Sequence, residues 1–307
     1  MFIVRPLHPS DLPNLYSVFS DLTTPLPHGA PPVWEEFRAA FSGLPRQHRA
    51  GQTFVIERDG EASGFVRTGI YRSVGDRWSF AKPGEGLIFG PFMPATDSRG
   101  GELLLASCAR YLRECGVKQV SAFDPVESVG ASFYNGGWCG LSEKMPTHVQ
   151  LFAKAGFRIR YRELCLRRSL LLDIPEARGL PAGITLSFEK RDNHRLSVKL
   201  YDQGRHAGSC HYSRMHPNRG THSSALCRGY IDGLAVNDGY QGMGLGRYLL
   251  LFALAKLREM ECEVVSLTTA SDNLKAQNLY FSLGFQVVDS CLSFMSEVNR
   301  VCDRILA

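Results

Sequence analysis

The sequence predicts an α/β (α+β) protein built from two tandem copies of one element order. Three observations predict it. At 307 residues the chain exceeds one ordinary compact core. Short β-branched or alternating runs of strand length are interleaved with segments of helical periodicity from end to end. Finally, Leu151-Phe-Ala-Lys-Ala-Gly156-Phe157 returns as Leu279-Tyr-Phe-Ser-Leu-Gly284-Phe285, a repeat 128 residues apart from Gly156 to Gly284.

Phe2–Arg5 reads as a short strand. Ser10 is placed to cap a helix through about Leu22, with Leu12, Leu15, Tyr16 and Phe19 on one face. Pro25–Pro32 breaks the chain before a second helix, about Val33–Ser42. Thr53–Glu57 and Ala62–Tyr71 flank Arg58-Asp59-Gly60, a hairpin signal. Gly86–Met93 is a strand, Gly101–Glu114 a helix by the spacing of Leu104, Cys108 and Tyr111, and Val117–Phe123 a strand. The loop Asp124–Thr147 carries Tyr134 and Trp138, aromatic residues suited to lining a site or packing on their own loop. Val149–Ala155 is a short helix, and Arg158–Leu172 reads as two strands with an arginine-rich, solvated face. Asp173–Gly183, rich in proline and glycine, is a linker, so the expected domains are 1–172 and 184–307.

The second half begins with the strand Ile184–Phe188. Only Glu189–Arg195 separates it from Leu196–Tyr201, and Asp202-Gln-Gly-Arg205 turns the chain into Ala207–Arg214. Tyr230–Val236 is a buried strand with one acid, Asp232. Asn237-Asp238-Gly239 is turn chemistry, and Gln241, Gly244 and Gly246 then open a long helix with Leu245, Leu249, Phe252 and Leu257 on one side. A glycine-rich turn at a helix N-terminus aims unpaired backbone N–H groups and the positive end of the dipole in one direction. That is a cradle for phosphate or pyrophosphate. No P-loop spacing is present, and Gly242–Gly244 lacks the strand-helix-strand context of a dinucleotide fingerprint. Val264–Thr269 is a strand, Asn273–Leu283 a short helix closed by Gly284, and Gln286–Val288 starts another strand.

The pair Gln241-x-x-Gly244-x-Gly246 and Asn273-x-x-Ala276-x-x-x-Tyr280-x-x-x-Gly284-Phe285, in that order and at that separation, resembles the GNAT superfamily of acyl-CoA-dependent N-acetyltransferases over about residues 195–290. The first half runs through the same element order and resembles a diverged copy. The resemblance implies a tandem GNAT architecture, each half a mixed, mostly antiparallel twisted sheet flanked by helices, with the N-terminal copy degenerate. Copy one has Asp97-Ser98-Arg99-Gly100-Gly101-Glu102 at its helix entrance, where acids oppose a pyrophosphate, and Phe152 in place of tyrosine. It reads as catalytically silent. Copy two is too short for the two helices the family places after its first strand, which implies that copy one supplies the acceptor wall.

The resemblance also implies acetyl-CoA as cosubstrate and assigns the residues. Leu234, Ala235 and Val236 lie beside the pantetheine, and an N–H near Val236 polarises the thioester carbonyl. Gln241, Gly242, Met243, Gly244, Leu245, Gly246 and Arg247 hold the pyrophosphate, mostly through backbone. Asn273 bonds the pantetheine arm, with Ala276 and Tyr280 in the same motif. Acyl transfer needs a neutral amine, a stabilised oxyanion and a protonated leaving thiolate. Tyr280 is the implied general acid, and Asp232 the acid that orients or deprotonates a cationic amine. Each has a plainer reading: Arg247 as a solvated arginine, Asn273 as a helix cap, Tyr280 as a core residue, Asp232 as a strand acid paired with an arginine. The implied acceptor is a primary amine of a small molecule, by analogy an antibiotic modified in self-protection. The alternatives are a biosynthetic acyltransferase acting on a thiol precursor or amino sugar, and a non-catalytic acyl-CoA sensor.

Composition excludes several classes. Hydrophobic content of 44% and charged content of 21% are those of a globular protein. No apolar run reaches the ~18–20 residues of a membrane span, and the N-terminus lacks a signal-peptide pattern. Nine scattered cysteines without a C-x-x-C pair favour reduced thiols and a cytoplasmic location over disulfides or zinc. His206, His211, His216 and His222 are spaced by five and six residues, off any one face, so no metal is expected; His216 is a spare candidate base. A net charge of +5 suits an anionic cofactor and is too dispersed for nucleic acid. A monomer or homodimer is expected, with no membrane partner.

Overall fold

The structure, a computed structural model, describes residues 2–27, 32–44, 48–72, 80–124, 140–177, 179–190, 195–215 and 227–306. In chain order its elements are β1 (Phe2–Pro6), α1 (Leu12–Thr23), α2 (Trp34–Ala40), β2 (His48–Arg58), β3 (Glu61–Tyr71), β4 (Gly86–Phe92), α3 (Ser98–Glu114), β5 (Gln119–Ala122), β6 (Leu141–Ser142) and α4 (Pro146–Lys154). They continue with β7 (Arg158–Ser169), β8 (Ile184–Lys190), β9 (Arg195–Asp202), β10 (Arg205–Arg214), β11 (Arg228–Val236), α5 (Leu245–Glu259), β12 (Val264–Ala270), α6 (Leu274–Ser282), β13 (Gln286–Glu297) and α7 (Val298–Leu306). The chain packs as two compact units, Met1–Glu163 with Asp289–Ala307, and Leu164–Val288.

The first unit is a sheet of order β1-β2-β3-β4-β5-β13, antiparallel except where β4 and β5 run parallel. Asp59 (φ 53°) and Gly60 (φ 89°) make the predicted turn between β2 and β3. Its core is aromatic: Phe19, Phe37, Phe65, Phe89, Phe92, Phe123 and Phe152 are fully buried.

This division differs from the one read in the sequence, which kept the last residues with the second half. Phe294 pairs with Ala122 and Glu297 with Gln119, while Cys291 and Leu292 pair with β6. Leu292, Phe294, Val298 and Val301 are buried in the first core, and the Phe152 and Phe294 rings stack at 4.8 Å, 12° from parallel. Burying each large apolar side chain stabilises by roughly 1.5–3 kcal/mol, so burial outweighs order along the chain.

The second unit carries the sheet order β7-β12-β11-β10-β9-β8, with β8 to β11 antiparallel and β11 parallel to β12. Gln203 (φ 45°) and Gly204 (φ 81°) form the turn between β9 and β10. Leu245, Leu249, Leu250, Leu254 and Leu257 of α5 bury against Val198, Leu200, Cys210, Tyr212 and Ile231. β8 ends at Lys190 and β9 begins at Arg195. No helix among the described residues is long and apolar enough to cross a membrane.

Three local expectations are corrected. Arg158–Leu172 holds one strand, β7, because its residues pair without a turn to Ser169. Its arginines are not uniformly solvated. Arg158 is exposed, but Arg160 lies over the Phe80 ring at 5.5 Å, Arg162 pairs with Glu143 at 2.7 Å, and Arg168 is buried, donating to the Leu283 carbonyl at 2.6 Å and the Asp173 carbonyl at 2.5 Å. Ser10 caps nothing; its N–H donates to the His8 ring in a short turn, Pro9–Asp11, that precedes α1.

Candidate functional site

The site begins at a fault in the β11 pairing. Ile231 opposes Tyr212 and Gly233 opposes His211, so Asp232 is an extra residue in β11, a bulge. On its other edge β11 pairs with β12 only from Arg228 to Tyr230. Beyond Tyr230 the two parallel strands part. The Asn237 N–H donates to the Ala207 carbonyl at 2.9 Å. Antiparallel alternation therefore turns the N–H and C=O of Leu234 and Val236 away from β10, into the gap. Leu234 and Val236 are half-buried there, and Ala235 is exposed.

The chain then turns through Asn237–Gly244 into α5. Gln241 stiffens the turn from inside, its Nε2 donating to Asp238 Oδ1 at 2.9 Å and the Val236 carbonyl at 3.3 Å. Gly242 (φ 81°) and Gly244 (φ 79°) are left-handed, and a Cβ on either would meet nothing within 4 Å. Glycine is needed here for its backbone, and the space above it is open. Among the described residues no acceptor meets the backbone N–H groups of residues 242–247; the first bond of the helix is Tyr248 N–H to the Gly244 carbonyl at 3.0 Å. Leu245 is buried and roots the helix, while Met243 and Arg247 are exposed, Arg247 donating to Ser282 Oγ at 3.0 Å. Gly246 passes 3.6 Å, in Cβ terms, from Leu279 and Val236. A cavity of about 720 Å³ opens at this mouth.

Tyr280 projects from α6 into the core, 7% exposed, its ring 5.8 Å from that of Phe285. The hydroxyl makes no hydrogen bond among the described residues. Burial, with the nearby Cys210 thiol adding to it, pushes its pKa up to about 12. Cys210 itself opposes Leu234 in the β10–β11 register. Asp232 reaches solvent, yet enough protein surrounds it for desolvation to raise its pKa above the usual carboxylate range, against the Ser213 hydroxyl and Arg195, which both favour the charged form. Asn273 caps α6, its Oδ1 accepting from the Ala276 N–H at 3.2 Å, which leaves its amide NH₂ for another partner. Ala276 is half-buried one turn before Tyr280.

Residue patterns did not single out Ser213, Arg195 or Cys210, which tune the two titrating groups, nor Pro175, Glu176, Gly179, Leu180 and Pro181, which line the cavity. Proline and glycine there read simply as a linker. His206 is exposed and His211 half-buried on β10, and among the described residues no group of His, Cys, Asp and Glu is arranged to hold a metal. His216, His222, Tyr134 and Trp138 lie outside the described residues.

The first unit treats the corresponding place differently. Asp97, 5% exposed, caps α3 with its own carboxylate, Oδ1 accepting from the Gly100 N–H at 3.0 Å. A Cβ on Gly101 would lie 2.6 Å from both Met93 and Leu151, so the space is filled. Phe152 is aligned with Tyr280 in the sequence repeat, and burial lowers the pKa of His148 to about 4, against a backbone bond with Met93 that raises it.

Residues 166–285 match the family described as Acetyltransferase (GNAT) family. Over 125 residues, 41% of this chain and 34% of the relative, the sequence is 32% identical to the mycothiol acetyltransferase of Rhodococcus opacus. Over 76 residues, 25% of this chain and 41% of the relative, it is 36% identical to N-alpha-acetyltransferase 30 of Saccharomyces cerevisiae. These matches span well under half the length of either curated relative. A solved tandem GNAT protein from the clavulanic acid biosynthesis pathway superposes with a TM-score of 0.71 at 15% identity, over 97% of this chain and 99% of that one, a likeness of fold.

Proposed function

Residues 166–285 belong to the GNAT acetyltransferase family and the chain has the tandem-GNAT fold, and from that premise we propose that the second unit moves an acetyl group from acetyl-CoA to a primary amine of a small molecule. One observation carries the reading: a run of unpaired amides, 242–247, at the mouth of α5 beside the parted β11 and β12. Such donors fit a diphosphate, and the left-handed glycines keep side chains off it. The mouth of α3 does not fit one, because Asp97 already takes an amide there.

In this reading Leu234 and Val236 bond the pantetheine arm edge to edge, and the Val236 N–H polarises the carbonyl under attack. Gln241 holds the turn in shape, Met243 and Arg247 flank the anion, and the Asn273 NH₂ reaches the arm. Tyr280, kept neutral by burial, donates its phenolic proton to the departing sulfur. Asp232, set on the bulge, orients the cationic acceptor and accepts its proton. Acetyl-CoA supplies the activated acetyl group. The protein works in the cytoplasm, where acetyl-CoA and reduced thiols coexist.

The likeness to a mycothiol acetyltransferase favours a second reading, transfer to a sugar-linked thiol precursor or amino sugar. Calorimetry with acetyl-CoA tests the donor site, and release of free thiol with antibiotic amines, polyamines, amino sugars and peptide N-termini tests the transfer. Heat with acetyl-CoA but no thiol release with any amine would leave an acyl-CoA sensor instead.

A further inference from the structure

One arginine of the second unit is held without a partner. Its neighbours on β7 both turn toward the helices: Leu166 is buried in the core with α5, and Arg168 donates to the Leu283 carbonyl at the end of α6. Period-two alternation therefore turns Arg167 to the opposite face of the sheet. The residue is half-buried, and its Nε and Nη2 are closed off from solvent. Among the described residues neither nitrogen has a hydrogen-bond partner. Burial lowers the pKa of this guanidinium, and the charge of Arg228 lowers it further. A buried, charged donor left unpaired is costly, and an arginine stays ionised rather than shed its proton.

Nε and Nη2 make up one edge of the guanidinium. Their N–H bonds run side by side, the geometry that holds a carboxylate or a phosphate through two oxygens. The same face carries the acid of the site. On β11, Ile231 is buried in the core, so Tyr230 and Arg228 point the other way, with Arg167. Asp232 joins them, because the Ser213 hydroxyl that bonds it belongs to the residue paired with Tyr230. Arg228, Tyr230 and Asp232 thus stand at alternate positions of one row. Between this row and β7 lies β12, whose Ser266 pairs with Tyr230 and whose Thr268 Oγ1 is 3.3 Å from the Tyr230 hydroxyl. Two strand spacings of ~4.8 Å put Arg167 ~10 Å across the sheet from the row.

We propose that the free edge of Arg167 anchors an acidic group of the acceptor, so that the amine acetylated at Asp232 belongs to a molecule bearing a carboxylate or phosphate several bonds away. The inference rests on the acetyl-CoA reading above and adds an acceptor class to it. Hydroxyls of Tyr230, Ser266 and Thr268 floor the span between the two charged ends, and the positive charge of Arg228 favours the same anion. An α-amino acid, with both groups on one carbon, does not cover that span. An ω-amino acid or an amino-sugar phosphate does.

The test uses the full chain with saturating CoA, which fills the donor site without turnover, and two pairs of probes: 6-aminohexanoate against hexylamine, and glucosamine 6-phosphate against glucosamine. Calorimetry measures each probe on the unaltered protein and on Arg167→Met, which keeps an unbranched side chain but neither charge nor donors, and a thermal melt checks the fold. The expected result is that the acid-bearing member of at least one pair binds the unaltered protein about tenfold tighter than its neutral partner, and that the two bind Arg167→Met equally. The pair that shows the difference tells carboxylate from phosphate. No difference in either pair, or a difference that survives in Arg167→Met, overturns the anchor while leaving the acetyl-CoA reading intact. Failure of CoA to bind overturns that reading, and the acceptor role with it. If Arg167→Met melts early, Arg167→Lys, which keeps the charge without the two-pronged edge, decides the matter: an undiminished difference overturns the anchor, and a weakened one supports it.

Discussion

Replacing Tyr280 with phenylalanine separates chemistry from architecture. The ring is 7% exposed and packs 5.8 Å from Phe285, and phenylalanine keeps both its volume and that contact. The hydroxyl has no hydrogen-bond partner among the described residues, so its removal deletes no bond and relieves a poorly solvated polar group. Stability is therefore expected to stay level or rise by up to ~1 kcal/mol. A pKa pushed up to about 12 holds the phenol neutral throughout the working pH range. Relative to an ordinary tyrosine near 10, that is ~3 kcal/mol in favour of the protonated form. A positioned general acid contributes ~10²–10⁴ in rate, or ~2.7–5.4 kcal/mol of barrier. Tyr280→Phe should thus lower kcat at least about a hundredfold, with acetyl-CoA affinity unchanged and Tm level or slightly raised. Thiol release, calorimetry and a thermal melt measure the three quantities. An unaltered kcat refutes the role, and so does a loss of activity that merely follows a fall in Tm.

Asp232 has a raised pKa, so the folded state favours its protonated form; that stability is present below the unfolded value near pH 4 and is lost as pH rises through the folded one. Asp232→Asn should accordingly hold or raise Tm at pH 7, converge with the unaltered protein below about pH 4, and lose transferase activity. Gly244→Ala, at φ 79°, should cost ~1–2 kcal/mol, whereas Gly246→Ala, whose Cβ makes ordinary 3.6 Å contacts, should be neutral or gain up to ~1 kcal/mol; opposite shifts in chemical melts check the pair. Asp97→Ala removes the α3 cap and should cost ~0.5–2 kcal/mol, while the acetyl-CoA stoichiometry seen by calorimetry stays the same because Met93 and Leu151 still fill the place.

Much of the second unit was legible because its signals are local. Gly244 just before the apolar periodicity of α5 fixes where the helix starts, and Asn273 three residues before Ala276 fixes the next. Tyr280 was legible as a buried position through its place two turns into a short amphipathic helix. What stayed hidden depends on partners far away in sequence. The bulge at Asp232 exists only against β10, and the parting of β11 from β12 only in the sheet. Arg168 looks solvated in a run of arginines until the Leu283 and Asp173 carbonyls meet it. The pairing of Phe294 with Ala122 spans most of the chain, and no periodicity announces it.

That pairing bears on how the polypeptide matures. The first unit lacks a strand and part of its apolar interior until residues 289–307 are made, so its nascent half must wait on the ribosome with an open sheet edge. The second unit, whose residues are contiguous, can finish folding sooner. A short C-terminal truncation should therefore injure the N-terminal half first, and a fragment beginning at residue 184 would carry away a strand that its neighbour needs.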